Sequence, residues 1–124
     1  MRQTEISALR LTLRIWRRLA STPWSQHSLI RKYNVAIEIC GRAMTAGCPC
    51  CTSFDCNVCP MVGFWSPDEY IALCYRQGSI FKEWEEGAIN GRERYKSREL
   101  AFDLSIQIEK ALEYWLALRE MNEQ

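Results

Sequence analysis

Residues 48–60 read Cys48-Pro-Cys-Cys51-Thr-Ser-Phe-Asp-Cys56-Asn-Val-Cys59-Pro60. Two C-x2-C pairs, separated by four residues, fall inside twelve positions. A C-x2-C turn sets two sulfurs on one ion, and two such turns complete a tetrahedral thiolate shell with no open position for a catalytic water. The spacing points to a structural metal, with zinc as first candidate and Cys48, Cys51, Cys56 and Cys59 as ligands. The spacer is shorter than in common zinc ribbons, so Cys74 or Cys50 stands as a replacement for one of the four. Other thiol chemistries fit less well. The spacing departs from the ferredoxin run. A C-P-x-C redox pair belongs at a helix start within a strand and helix pattern that the chain lacks. A zinc deaminase needs H-x-E upstream, whereas His27 is followed by Ser28 and Leu29.

Outward from this loop the chain reads as helices. From Thr4 to Ala20, Ile6, Leu9, Leu13 and Trp16 share a stripe that Ile15 and Leu19 widen, which predicts a core-facing helix. Arg10, Arg14, Arg17 and Arg18 fall on its other side. Pro23 then forces a turn. A second helix is expected after a cap at Ser25 or Ser28, with Leu29, Tyr33, Ile37, Cys40 and Met44 inward and Gly47 as its stop. Ser66, Pro67 and Glu69 give the start signals of a third helix running to about Gln77. Gly78 ends it, and Ser79 caps a short fourth helix through Trp84. From Gly91 to Met121, Ala101, Leu104, Ile108, Ala111, Trp115 and Leu118 alternate threes and fours like a coiled-coil seam. Phe102, Ile106, Leu112 and Leu116 broaden it, so this helix is expected to touch both its own core and a partner copy. The expectation is one domain over residues 1–124, mainly α, with four to five helices around a Cys-rich zinc loop and a long C-terminal helix.

Composition excludes several classes. No run approaches the eighteen or so apolar residues of a membrane span. Arginines interrupt the N-terminal apolar stretch, which removes a secretory signal and leaves the cytoplasm as the expected compartment. Residues 1–47 hold eight Arg or Lys against two acids, and the remainder eight against thirteen, so a net charge of +1 hides a polarised chain. His27 is the only histidine, which removes most imidazole-based catalytic schemes, and it reads as a surface or capping residue. Neither a phosphate loop nor a dinucleotide turn occurs. The remaining hint is a set of arginines near rings, Arg10, Arg14, Arg17 and Arg18 with Trp16 and Trp24. Guanidinium groups hold phosphates and rings stack on bases.

The Cys48/Cys51 pair, the Cys56/Cys59 pair followed by Pro60, and the later Cys74 and Trp84 resemble small zinc-binding proteins of phages and prophages. Trp16, Arg17, Arg18, Leu19 and Ala20, then Thr22, Pro23 and Trp24, look like the helix and turn that precede such cysteines. The likeness spans about residues 10–85, and the Cys50/Cys51 doublet and short spacer depart from the type. The resemblance implies a non-enzymatic accessory protein of the host cytoplasm. Such a protein would be a counter-defence factor, capturing a host protein or sequestering a nucleotide signal at an oligomer interface lined by Arg10, Arg14, Arg17, Arg18 and Trp24. The competing expectation is a zinc-stabilised nucleic-acid binder, against which the near-neutral charge weighs.

Overall fold

A computed structural model of the chain describes residues 2–44, 48–54, 58–67, 73–91 and 93–123. The first helix, α1 (Arg2–Ala20), follows its apolar stripe: Ile6, Leu9, Ile15, Trp16 and Leu19 are all buried. The last helix, α5 (Ser97–Glu123), runs antiparallel to it. Arg98 Nε donates to the Ala20 carbonyl at one end, and Arg119 donates to the Gln3 side chain at the other. Ala101, Leu104, Ile108 and Ala111 of the expected seam are fully buried within the chain's own core, while Phe102 and Ile106 stay exposed.

Three further helices pack around this pair: α2 (Leu29–Cys40), α3 (Pro49–Ser53) and α4 (Ile80–Asn90). The fold is therefore mainly α, with five helices among the described residues and a long C-terminal one, as the patterning predicts. Among the described residues, no helix is long and apolar enough to cross a membrane.

Helix α2 starts at the Ser28 cap, one of the two expected, whose Oγ accepts the Arg31 N–H at 3.0 Å. It differs from expectation at its end and in its inward face. Its end is Gly41, which turns left-handed at φ 77° and closes the helix well before Gly47, itself outside the described residues. Its buried face is also rotated. Lys32, Val35 and Ala36 point inward, while Tyr33 and Ile37 are 41% and 44% exposed. Position 32 shares a face with Leu29 and Ala36, and a lysine stem is apolar enough to lie there.

Further along, α3 forms inside the cysteine loop, with Cys48 at its N-cap and Pro49 in its first turn. The expected third helix is not seen where it is described: residues 73–78 are turns and bends, and residues 68–72 lie outside the described set. Helix α4 starts at the Ser79 cap as expected, then continues past Trp84 and a buried Gly87 to the left-handed Gly91.

Candidate metal centre

None of the six described cysteines is in a disulfide. Five of them gather at one place, delivered by different parts of the chain. The N-terminal end of α3 carries Cys48, Cys50 and Cys51; Cys50 is completely buried and Cys48 nearly so. Cys59 lies in the turn that follows, where its Sγ accepts the Met61 N–H at 3.4 Å. Cys74 comes from the turn before α4, and its carbonyl accepts the Ser79 Oγ–H at 2.6 Å, so the cap of α4 also fixes the approach of Cys74. Cys51 and Cys74 face two small cavities. Cys48 joins them in one, of about 100 Å³, and Cys59 in the other, of about 10 Å³. Cys56 lies outside the described residues. Cys40 is half-buried against the core on α2, the core position its stripe suggested.

The thiols are not electrostatically equivalent. Hydrogen bonds from the Cys50 and Cys51 thiols hold Cys48 well below the ordinary thiol range despite its burial. Cys50 also donates to Cys59, lowering that group, and is itself driven well up by these two bonds and by burial. Cys51 is raised by its bond to Cys48, by burial and by the neighbouring charges of Cys48, Cys74 and Cys59. The two groups lowered in this way are Cys48 and Cys59, one from each C-x2-C pair. Among the described residues, no three Cys, His, Asp or Glu side chains form a coordinating group. The contacts form a chain, Cys51 to Cys48, Cys48 to Cys50 and Cys50 to Cys59, rather than a shell around one point. The donor set is nonetheless soft and sulfur-rich, and zinc suits it.

Two contributors were hidden in the sequence. Thr12, wholly buried on α1, donates to the Ala8 carbonyl at 2.7 Å and lies 3.4 Å from Cys50 Sγ, tying the thiols to the first helix. Lys32 is 3% exposed, and its ammonium sits 4.6 Å from the centre of the Phe81 ring and 5.7 Å from that of Tyr33. It lines the larger cavity with Cys48, Cys51 and Cys74, against walls of Trp16, Trp65 and Phe81. Burial pushes its pKa down, while Cys48, Glu85, Cys51 and Cys74 pull it up. The only signal in the sequence was its position, three residues after Leu29 and four before Ala36.

The arginine set is less concentrated than its spacing suggested. Arg10, Arg14, Arg17 and Arg18 are all exposed on α1. Arg14, Arg17 and Arg18 line an open groove that also contains Glu38; Arg18 pairs with Glu38, and Arg17 with Glu109. Trp24, 48% exposed in a 3-10 turn, is not among the residues lining that groove. His27 is neither at the surface nor a cap. It is 1% exposed, its Nδ1 accepts the Trp84 indole N–H at 3.0 Å, and its Nε2 lies 3.0 Å from the Thr22 carbonyl. With Nδ1 accepting, the proton sits on Nε2, and burial lowers the pKa of this neutral ring.

No family model, curated protein or solved structure matches this chain.

Proposed function

We propose that the chain is a small, non-enzymatic binding protein whose middle is held by a structural zinc ion on thiolates drawn from Cys48, Cys51, Cys59 and Cys74, with Cys56 as the further candidate. The observation that carries this reading is the convergence of thiols from α3, the following turn and the turn before α4 around two adjoining cavities. The lowered Cys48 and Cys59 groups support it, because thiolates rather than thiols bind metal. A bound zinc would supply cross-linking only, since a closed sulfur shell leaves no site for water or substrate.

The binding half of the proposal concerns a protein partner. A nucleotide signal or nucleic-acid strand on the α1 arginines would have to displace Glu38 and Glu109, and the groove is open rather than enclosing. A surface of alternating charge suits another protein better. The likeness to phage accessory proteins gives the setting, capture of a host protein in the bacterial cytoplasm. Native mass spectrometry of freshly purified chain, set against the denatured mass, is expected to give one zinc per chain and no nucleotide mass. A metal-free native mass would remove the zinc, and retained nucleotide would return the arginine groove to sequestration. Chelation is expected to lower the thermal midpoint, because binding energy in a small metal site is folding energy. An unchanged midpoint would sink the structural role.

A further inference from the structure

We infer that the turn between α1 and α2, together with the turn that enters α5, forms a stacking platform for single-stranded nucleic acid. The Trp24 and Tyr95 rings take bases, and Arg31 and Arg98 take phosphates. The inference draws on none of the thiols and lies apart from the groove of α1. Trp24 opens the 3-10 turn Trp24–Gln26, and Tyr95 is the middle residue of the 3-10 turn Arg94–Lys96. The two turns pack against each other, yet Trp24 remains 48% exposed and Tyr95 62%. Neither ring belongs to the apolar core, which takes Trp16, Trp65 and Trp84 instead.

Two guanidinium groups flank Trp24, each fixed by a hydrogen bond. Arg98 Nε donates to the Ala20 carbonyl at 3.0 Å, four residues before the tryptophan, and Arg31 donates to the Gln26 side-chain oxygen at 3.2 Å, two residues after it. Both charges lie close enough to the buried His27 ring to press its pKa down. Among the described residues no carboxylate pairs with either arginine, whereas Arg17, Arg18, Lys82 and Lys96 each have one. Glu93, the acid beside the second turn, is answered by Lys96 at 3.3 Å. Glu99 follows Arg98 in sequence but lies against Asp103, whose carboxyl it helps push up. An exposed ring offers its face to any unpaired base, and a guanidinium without an acid partner holds a phosphate. Bases stacked inside a duplex present no such face, which restricts the ligand to single strands. Two rings on two turns, with a cation on either side of the first, reach more than one nucleotide, so a strand fits better than a mononucleotide.

Fluorescence anisotropy of a labelled oligothymidylate with the full chain tests this, across a salt series and against the same strand annealed into a duplex. Binding is expected at low salt, with a logarithmic salt slope of about −1.4, the value for two phosphate contacts on a single strand. Trp24→Ala and Tyr95→Ala should each weaken it by roughly fivefold or more, whereas Trp24→Phe, which keeps a stacking face, should stay within about threefold of wild type. Arg31→Gln and Arg98→Gln should each weaken binding and reduce the slope by about 0.7. Arg10→Gln, about 15 Å along α1 from Ala20, should change neither affinity nor slope. The substituted residues are all exposed, and equal thermal midpoints will separate lost binding from lost fold. Absence of binding at low salt overturns the inference, as does equal affinity for the duplex or unchanged affinity in both alanine variants. Polyglutamate competing as well as an unlabelled strand of equal charge overturns it too, because the surface would then read acid alone and belong to a protein partner. The zinc reading is untouched by any of these outcomes.

Discussion

Along the α1–α5 pair, Leu9, Leu104 and Ile108 are sealed from water by other apolar side chains on helices of nineteen and twenty-seven residues. Among the described residues from Cys48 to Trp65, burial is instead shared among Cys48, Cys50, Pro60, Met61 and Trp65, with a five-residue helix and turns. The first region gains its order from area removed from water and from continuous backbone hydrogen bonds. The second has few helical hydrogen bonds and little aliphatic area, and leans on its neighbours. The Trp115 indole reaches across from α5 to the Pro60 carbonyl at 2.9 Å, and the Ile80 N–H bonds the Trp65 carbonyl at 2.9 Å. Thr12 reaches from α1 to Cys50. The metal proposed above would add a crosslink at the centre of this short, thiol-rich segment. The two regions should therefore respond differently to the same perturbation.

The largest mutational effect is expected at the helix pair. Leu104→Ala leaves a cavity beneath a fully buried position and should cost about 2–5 kcal/mol, measured by denaturant unfolding. The cost should be the same with metal present or stripped, because Leu104 lies in the apolar core of the pair. A cost that changed strongly between the two states would erase the division, making the thiol segment and the helix pair one cooperative unit.

The contrast also explains which parts of the molecule were legible beforehand. In α1 and the first half of α5 the apolar period and the buried face coincide, so pattern and structure agree from Ile6 to Leu19 and from Ala101 to Ala111. In α2 they do not. Leu29, Tyr33 and Ile37 make the more apolar stripe, but the inner face takes Lys32, because an aromatic cavity and a group of thiols lie opposite it. A rule that sorts residues by polarity places a lysine outside, and it cannot anticipate anions or rings supplied by distant segments. Helix α3 escaped notice because a C-x2-C spacing suggests a turn, while Pro49 just after Cys48 equally starts a helix. His27 read as peripheral because its partner, Trp84, is far along the chain.

The His27–Trp84 bond provides the next test, since it ties the turn after α1 to α4 rather than to the thiols. In the folded chain the ring is neutral with a lowered pKa, through burial first and then the charges of Arg98 and Arg31. In the unfolded chain it titrates near 6.5. Below about pH 6.5 the unfolded state takes up a proton that the folded state refuses. Stability is therefore fully present above that pH and falls as pH drops towards the native value. His27→Phe should remove this part of the acid sensitivity and leave the Trp84 N–H without its acceptor, at a cost of about 1–3 kcal/mol at neutral pH. Urea midpoints followed from pH 7.5 to 5.5 would check it. An identical acid slope in the variant would place the sensitivity in other groups, the thiols among them.

The smallest expected effect decides which region α2 belongs to. Ser28 caps that helix through its Oγ, and Ser28→Ala should cost about 1 kcal/mol by leaving the Arg31 N–H without this acceptor. The helix has a foot in each region: Val35 and Ala36 join the apolar core, whereas Lys32 lines the thiol cavity. Amide exchange separates the alternatives. If α2 opens with the helix pair, weakening its cap lowers protection in α1 and α5 and leaves zinc loss at its wild-type rate. If it opens with the thiols, the same substitution speeds zinc release by about fivefold, the equivalent of 1 kcal/mol, with α1 and α5 untouched. We expect the second result, because the charge that α2 carries inward faces the sulfurs and the rings around them, and a frayed first turn would loosen its hold on that position.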